Sequence, residues 1–238
     1  IAIGWNSLHQ LTSGANNIAI GYQALDALTT SAHNLAIGVD ALGTGTYDCD
    51  YNVAIGNYTL DACTAGAAVT GNVAVGYAAG SAVTTSDNGV FVGYLAGNAI
   101  TTGGDNIAIG ANALQLLTTG GQNVAIGRLA FDAADGTESE NVAIGHAAMG
   151  AVDEQGGAAD ANVCIGYNAG AGGATTEFSS NVAIGAYAFD GSSTQLISNV
   201  VAIGKHALGG AIEDEGAGTV AIGASALTAL TSGAGNLA

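Results

Sequence analysis

Asn106-Ile107-Ala108-Ile109-Gly110-Ala111-Asn112-Ala113-Leu114 carries the pattern that decides the fold. The run Ile107-Ala108-Ile109 is β-branched, too short for a helix and closed by a glycine, which predicts a strand. One repeat later the same letters return as Asn123-Val124-Ala125-Ile126-Gly127. Followed in both directions, the glycine recurs as Gly4, Gly21, Gly38, Gly56, Gly76, Gly93, Gly110, Gly127, Gly145, Gly166, Gly185, Gly204 and Gly223, in steps of 17 to 21 residues. A unit that short cannot bury a core alone, so successive units must stack. The prediction is an all-β parallel β-roll or β-solenoid of about 13 coils of 17–21 residues. It occupies 1–238 as a single repetitive segment and is expected to be a fragment of a longer fibre.

Each position around the glycine has its own preference. Ile or Val precedes the glycine in all thirteen repeats, and the residue before that is Ala in eleven, with Phe91 and Cys164 as the exceptions. Four residues before the glycine, Asn recurs at Asn17, Asn34, Asn52, Asn72, Asn106, Asn123, Asn141, Asn162 and Asn181. Asn tolerates left-handed backbone, which suits a corner entering a strand, and amides stacked one per coil would form a ladder. After the glycine comes a second limb with a small residue and then a larger apolar one, as in Ala24-Leu25 and Ala113-Leu114. Its spacing fits a short helical turn as well as a strand. Length varies mainly in the acidic, glycine-containing loops 132–140, 152–161 and 213–218, and mobile backbone is expected at 155–160.

Alternate side chains of a strand face opposite ways, so Ile107 and Ile109 share one face while Ala108 and Gly110 share the other. Neither face is polar, which predicts cover on both sides. The expectation is Val and Ile inside the coil, with the Ala and Gly row against a neighbouring chain. Replacing Ala108 and Ala125 by Glu would then disrupt assembly; if the row lines the interior instead, that variant would not fold.

Composition narrows the function. Nineteen Asp and Glu stand against two basic residues, Arg128 and Lys205, for a formal charge of -17. Nucleic acid and anionic membrane surfaces are therefore poor partners. No apolar run is long enough for a membrane span. Cys49, Cys63 and Cys164 form no metal motif. Cys49 and Cys63 flank one strand, where stacking would bring them together as a disulfide or leave two small free residues, and Cys164 reads as a small buried hydrophobe.

At Ala19-Ile20-Gly21-Tyr22-Gln23-Ala24-Leu25 the chain resembles the Ala-Ile-Gly repeats of phage tail fibres. Its Asn-x-Val-Ala-Ile-Gly core is similar to the head repeats of YadA-like trimeric autotransporter adhesins. The resemblance covers essentially the whole chain and implies a left-handed homotrimeric β-roll, extracellular, on a cell surface or virion, with an adhesive or spacer role. It leaves open the choice between bacterial adhesin and viral fibre. Trp5, Tyr22, Tyr77, Tyr94 and Tyr167 each follow the repeat glycine and are expected near one line, as contacts for a glycan or other surface receptor. Gly21, Gly38, Gly110 and Gly127, with Asn17, Asn34, Asn106 and Asn123, are expected to be structural. No enzymatic motif or cofactor site is read. A hexapeptide-repeat acyltransferase would need three hexads per coil, and Ile20 to Leu25 supplies one; His9, His33, His146 and His206 share no repeat position. An ice-binding face would need regular Thr files, which give way to Asp135, Asp153 and Ala174 in later coils. Calcium capture by Asp132, Asp135, Asp153, Glu154 or Asp214 is a secondary expectation, without a repeated cage spacing.

Overall fold

The computed structural model describes residues 1–44, 49–63, 69–134, 136–152, 159–172, 178–191, 197–210 and 217–238. They fall into two compact units, Ile1–Gly121 and Gln122–Ala238. Each is a parallel β-solenoid. In the first unit β1 (Ala2–Ile3), β2 (Ile18–Ile20), β3 (Leu35–Ile37), β4 (Val53–Ile55), β5 (Val73–Val75), β6 (Val90–Val92) and β7 (Ile107–Ile109) pair in chain order. In the second, β8 (Val124–Ile126), β9 (Val142–Ile144), β10 (Val163–Ile165), β12 (Val182–Ile184), β14 (Val201–Ile203) and β15 (Val220–Ile222) do the same. There β11 (Phe178–Ser179) and β13 (Ile197–Ser198) add a short second parallel sheet. Ile18 lies opposite Leu35, Ala19 opposite Ala36 and Ile20 opposite Ile37. This register is kept through each unit, so every repeat position becomes a file of stacked side chains.

The strand faces the opposite way to the expectation. Ala19, Ala36, Ala54, Ala74 and Ala108 in the first unit, and Ala125, Ala143, Ala183 and Ala202 in the second, are fully buried inside the coil. The flanking Val and Ile point outward and are only half-buried. The reason is thickness. The far wall of the coil carries Leu25, Leu42, Leu60 and Leu114 in the first unit, all fully buried. Directly opposite the strand a thin coil has room for large side chains on one wall only, and a second large file on the strand itself would overpack.

The two exceptions to Ala obey the same rule. Phe91 is fully buried in the Ala file, and the glycines around it leave room for its ring. A Cβ at Gly97 would stand 2.5 Å from Phe91 Cδ1, one at Gly80 2.7 Å from Cδ2, and one at Gly89 2.4 Å from Cζ. Cys164 is likewise buried and faces Gly170, whose added Cβ would touch its sulfur. Burial in this apolar layer pushes the Cys164 thiol up to about 12.

The second limb is neither helix nor strand. Alternate residues are left-handed, as at Gln23 (φ 54) and Leu25 (φ 54) or Asn112 (φ 59) and Leu114 (φ 49). Its amides bond from coil to coil: Gln23 N–H donates to the Trp5 carbonyl at 2.9 Å and Leu25 N–H to the Ala41 carbonyl at 3.0 Å. Left-handed backbone costs a non-glycine residue roughly 1–2 kcal/mol. Full burial of a leucine returns about 2 kcal/mol, so the limb's leucines offset the strain that places them inside.

The corner also differs in detail. The left-handed residue is the one before the Asn, as at His33 (φ 62), Tyr51 (φ 59), Gln122 (φ 61) and Glu140 (φ 63). That leaves the Asn free to build a ladder. Asn17 Oδ1 accepts both the backbone N–H of Asn34 at 2.9 Å and its Nδ2–H at 3.2 Å. Asn34 serves Asn52 in the same way, and Asn52 serves Asn72. In the second unit Asn123, Asn141, Asn162 and Asn181 repeat the pattern. Each amide also donates across its coil, as Asn17 Nδ2 does to the Ser31 carbonyl at 2.8 Å and Asn106 Nδ2 to the Gly120 carbonyl at 2.8 Å. These amides are buried, and unpaired they would each cost about 1–3 kcal/mol.

The repeat glycine is where consecutive coils touch backbone to backbone. Gly21 and Gly38 have φ of 144 and 139, and a Cβ on Gly21 would lie 2.1 Å from the Gly38 carbonyl oxygen. Cys49 and Cys63, seven residues either side of Gly56, are both buried and joined by a disulfide. Closing a loop of this length removes unfolded-chain entropy worth about 3 kcal/mol. Of the acidic loop expected to be mobile, 155–158 lie outside the described residues. Ala159 is buried, and Asp160 Oδ1 accepts from Ser139 N–H at 2.7 Å.

Candidate functional site

The side chain after each repeat glycine leaves the strand on the outside, and the strict register sets these side chains one per coil along a rail. In the first unit Trp5 is 71% exposed, and Tyr22, Tyr77 and Tyr94 are also exposed. Tyr77 and Tyr94 stack with centroids 5.5 Å apart at 15°, and Tyr58 meets Tyr77 edge-on at 5.7 Å. Trp5 and Tyr22 stack on no other ring among the described residues.

The second unit has a longer rail. Arg128 Nη2 lies 3.1 Å from His146 Nε2. His146 stacks on Tyr167 at 5.1 Å, Tyr167 meets Tyr187 edge-on at 5.1 Å, and Tyr187 stacks on His206 at 5.0 Å. An arginine can only donate, so His146 Nε2 accepts. The proton then sits on Nδ1, which is buried without a partner.

Of the five aromatics singled out in the sequence, the structure brings Tyr77 and Tyr94 into direct contact and places Tyr167 between His146 and Tyr187. Sequence reasoning missed Tyr58, Tyr187 and His206, one position further along, together with Arg128 and His146 in the same column. A partial signal was present: of the repeats whose column lacks a ring, those with Asn57, Ala186 and Lys205 carry one at the next residue, while those with Val39, Ala111, Arg128 and Ala224 do not. Stacked rings cover each other's faces, so a ligand on the rail meets ring edges, hydroxyls and charged ends. Open faces remain at Trp5 and Tyr22. The threonine hydroxyls are engaged along the stack: Thr84 donates to the Thr101 carbonyl at 3.0 Å and Thr101 to that of Thr118 at 2.9 Å.

Next to the rail, the half-buried Val and Ile of successive strands form an apolar strip in each unit. Ile18, Ile20, Leu35, Ile37, Val53 and Ile55 open that of the first, with no polar side chain in it. On the other side, five residues after the glycine, stand Asp26, Asp61, Asp132 and Asp190. Burial raises the Asp61 carboxyl above the usual range, and neighbouring Asp40 adds to it. Burial also raises Asp132, opposed by a backbone hydrogen bond, His146 and Arg128, and raises Asp190, opposed by a backbone hydrogen bond and His206. Asp135, Asp153, Glu154 and Asp214, named for calcium, lie outside the described residues. Among the described residues no three His, Cys, Asp or Glu side chains gather as a metal site, and no helix is long and apolar enough to cross a membrane.

These carboxyls set a pH dependence. Where the folded pKa is raised, the native state binds more protons than the unfolded one, so stability falls as pH rises through the folded value and gains as pH drops. Thermal unfolding is expected to shift upward as the pH falls from neutral through the raised folded values toward the ordinary carboxylate range at about pH 4. Asp61→Asn is expected to raise the melting temperature at neutral pH and flatten the profile. The gain is about 0.5 kcal/mol, because solvent screens this half-exposed pair. A variant profile as steep as the parent's would contradict the assignment.

No family model, curated protein or solved structure matches the chain.

Proposed function

We propose that this chain is a structural segment of an extracellular or virion fibre, assembled as a homo-oligomer of three chains through its outward Val/Ile strip, and that its aromatic rail meets a surface receptor. The observation that carries the reading is the strip itself. It repeats without a charged residue over successive coils of each unit, and a solitary solenoid in water would place polar side chains there. Burying such a strip against copies of itself adds about 25 cal/mol per Å² of apolar surface. The high negative charge stays off it and keeps assembled fibres apart. The Cys49–Cys63 disulfide supports an oxidising compartment. The Asn ladder and the backbone contacts at the glycines suit a rigid spacer. The exposed faces of Trp5 and Tyr22 suit contact with a glycan, and alanine replacement of both is the corresponding test for the first unit.

The decisive test is mass in solution. Light scattering behind size exclusion is expected to return three times the chain mass at micromolar concentration. Ile107→Lys with Ile109→Lys, both outward, is expected to reduce it to a folded smaller species with an unchanged far-UV spectrum. A stable folded monomer of the parent chain would overturn the assembly.

A further inference from the structure

The chain has only two basic residues and four histidines. Arg128, Lys205, His146 and His206, four of these six, occupy one surface line in the second unit. Register places Arg128, His146, Tyr167 and Lys205 in the same column, directly after Gly127, Gly145, Gly166 and Gly204. Contacts link the line end to end: Arg128 to His146 at 3.1 Å, then rings at 5.1, 5.1 and 5.0 Å through Tyr167 and Tyr187 to His206. Arg128, Tyr167 and Lys205 are exposed. In a chain of charge -17 this is not a generic solvated surface. It is a cationic track with phenol and imidazole edges between its charged ends.

We infer that this track binds an acidic oligosaccharide, a chain of sugars bearing carboxylate or sulfate groups. The inference rests on the receptor-contact part of the reading above and names its ligand class. Four coil steps separate Arg128 from Lys205, about 19 Å at the spacing of hydrogen-bonded strands. The guanidinium keeps donors free beyond its contact with His146 and can take a carboxylate or sulfate by two parallel bonds. Lys205 supplies a second point charge at the other end. Between them, the hydrogen-bonded hydroxyls of Tyr167 and Tyr187 and the ring edges of the stack suit hydrogen bonding to sugar hydroxyls along an extended chain. Asp132 beside Arg128 and His146, and Asp190 beside His206, lie half-buried beneath the track. They limit its net charge, which favours a sparsely charged saccharide over the dense phosphate array of a nucleic acid.

The test uses the full chain and two matched ligands, a polyuronate oligosaccharide and its carboxyl-reduced neutral counterpart, by titration calorimetry. The acidic ligand is expected to bind at least tenfold more tightly than the neutral one and to weaken with added salt. Arg128→Gln with Lys205→Gln is expected to lose at least tenfold in affinity for the acidic ligand while keeping melting temperature and oligomer mass. Leu116→Ala, at an exposed residue of the first unit away from the rail, is expected to leave that affinity unchanged. Equal binding of both ligands, no binding of either, or full affinity in the double variant would overturn the inference. A chain that binds the acidic ligand as a monomer would sink the assembly reading and leave this one standing.

Discussion

Ala108→Glu and Ala125→Glu are each expected to abolish folding of the coils around them rather than merely prevent association. Both alanines are fully buried in the interior file of their unit. Ala108 faces Phe91 of the preceding strand, and Ala125 faces Ala143 of the following one. The nearest buried amides, Asn106 and Asn123, already donate to backbone carbonyls, so an ionised carboxylate there would be desolvated and unpaired, at a cost of several kcal/mol, or would stay protonated at a similar cost. Stability in a stacked solenoid is close to a sum of neighbour terms. One broken layer therefore opens its neighbours, and the expected readout is loss of far-UV strand signal with fast hydrogen exchange across the adjoining strands. Ile107→Glu, one residue away but facing outward, is the control and is expected to stay folded. A folded Ala125→Glu chain that had only lost its oligomeric mass would restore the outward placement of the alanines.

The sequence makes the periodicity, the parallel register and the Asn ladder readable because each is carried by one residue type at one position. The direction of the strand faces was misread for a physical reason. Alternation shows which residues share a face and not which face is inside, and Ala and Gly are compatible with tight packing either in a thin coil or between chains. The information that decides it lies across the coil. Phe91 and Cys164, the departures from Ala, coincide with Gly80 and Gly97 and with Gly170, the three positions where the far wall carries glycine in place of Leu, Phe or Met. A large residue matched by a missing one four positions beyond the glycine means that the two share a volume. The second limb was less legible, because alternate left-handed leucines such as Leu25 and Leu114 contradict local propensity and are held there by burial alone. The rail was half legible: its column of aromatics was visible, but Tyr58, Tyr187 and His206 enter it from the neighbouring position.

Phe91→Ala is expected to destabilise the first unit by about 3–5 kcal/mol, the usual cost of emptying a buried aromatic site. The loss belongs at the upper end, since Gly80, Gly89 and Gly97 surround the ring and have no side chains to collapse into the void. Gly97→Leu in the parent is also expected to destabilise, by about 1–3 kcal/mol, because its Cβ would stand 2.5 Å from Phe91 Cδ1. Combined, the two changes recreate the Ala and Leu pairing of the Ala108–Leu114 coil. The backbone already permits it, with Gly97 at φ 58 and Leu114 at φ 49. The double variant is expected to be more stable than Phe91→Ala alone, with a favourable coupling of at least about 2 kcal/mol in the double-mutant cycle. Gly80→Leu, at φ 60, is expected to recover more by filling the other side of the void. Chemical unfolding of the four variants, read alongside hydrogen exchange in Val90–Val92, measures the cycle. Strict additivity of the two penalties would mean that Phe91 and the glycines do not share the interior, and with it the inward-facing assignment of the whole alanine file would fail.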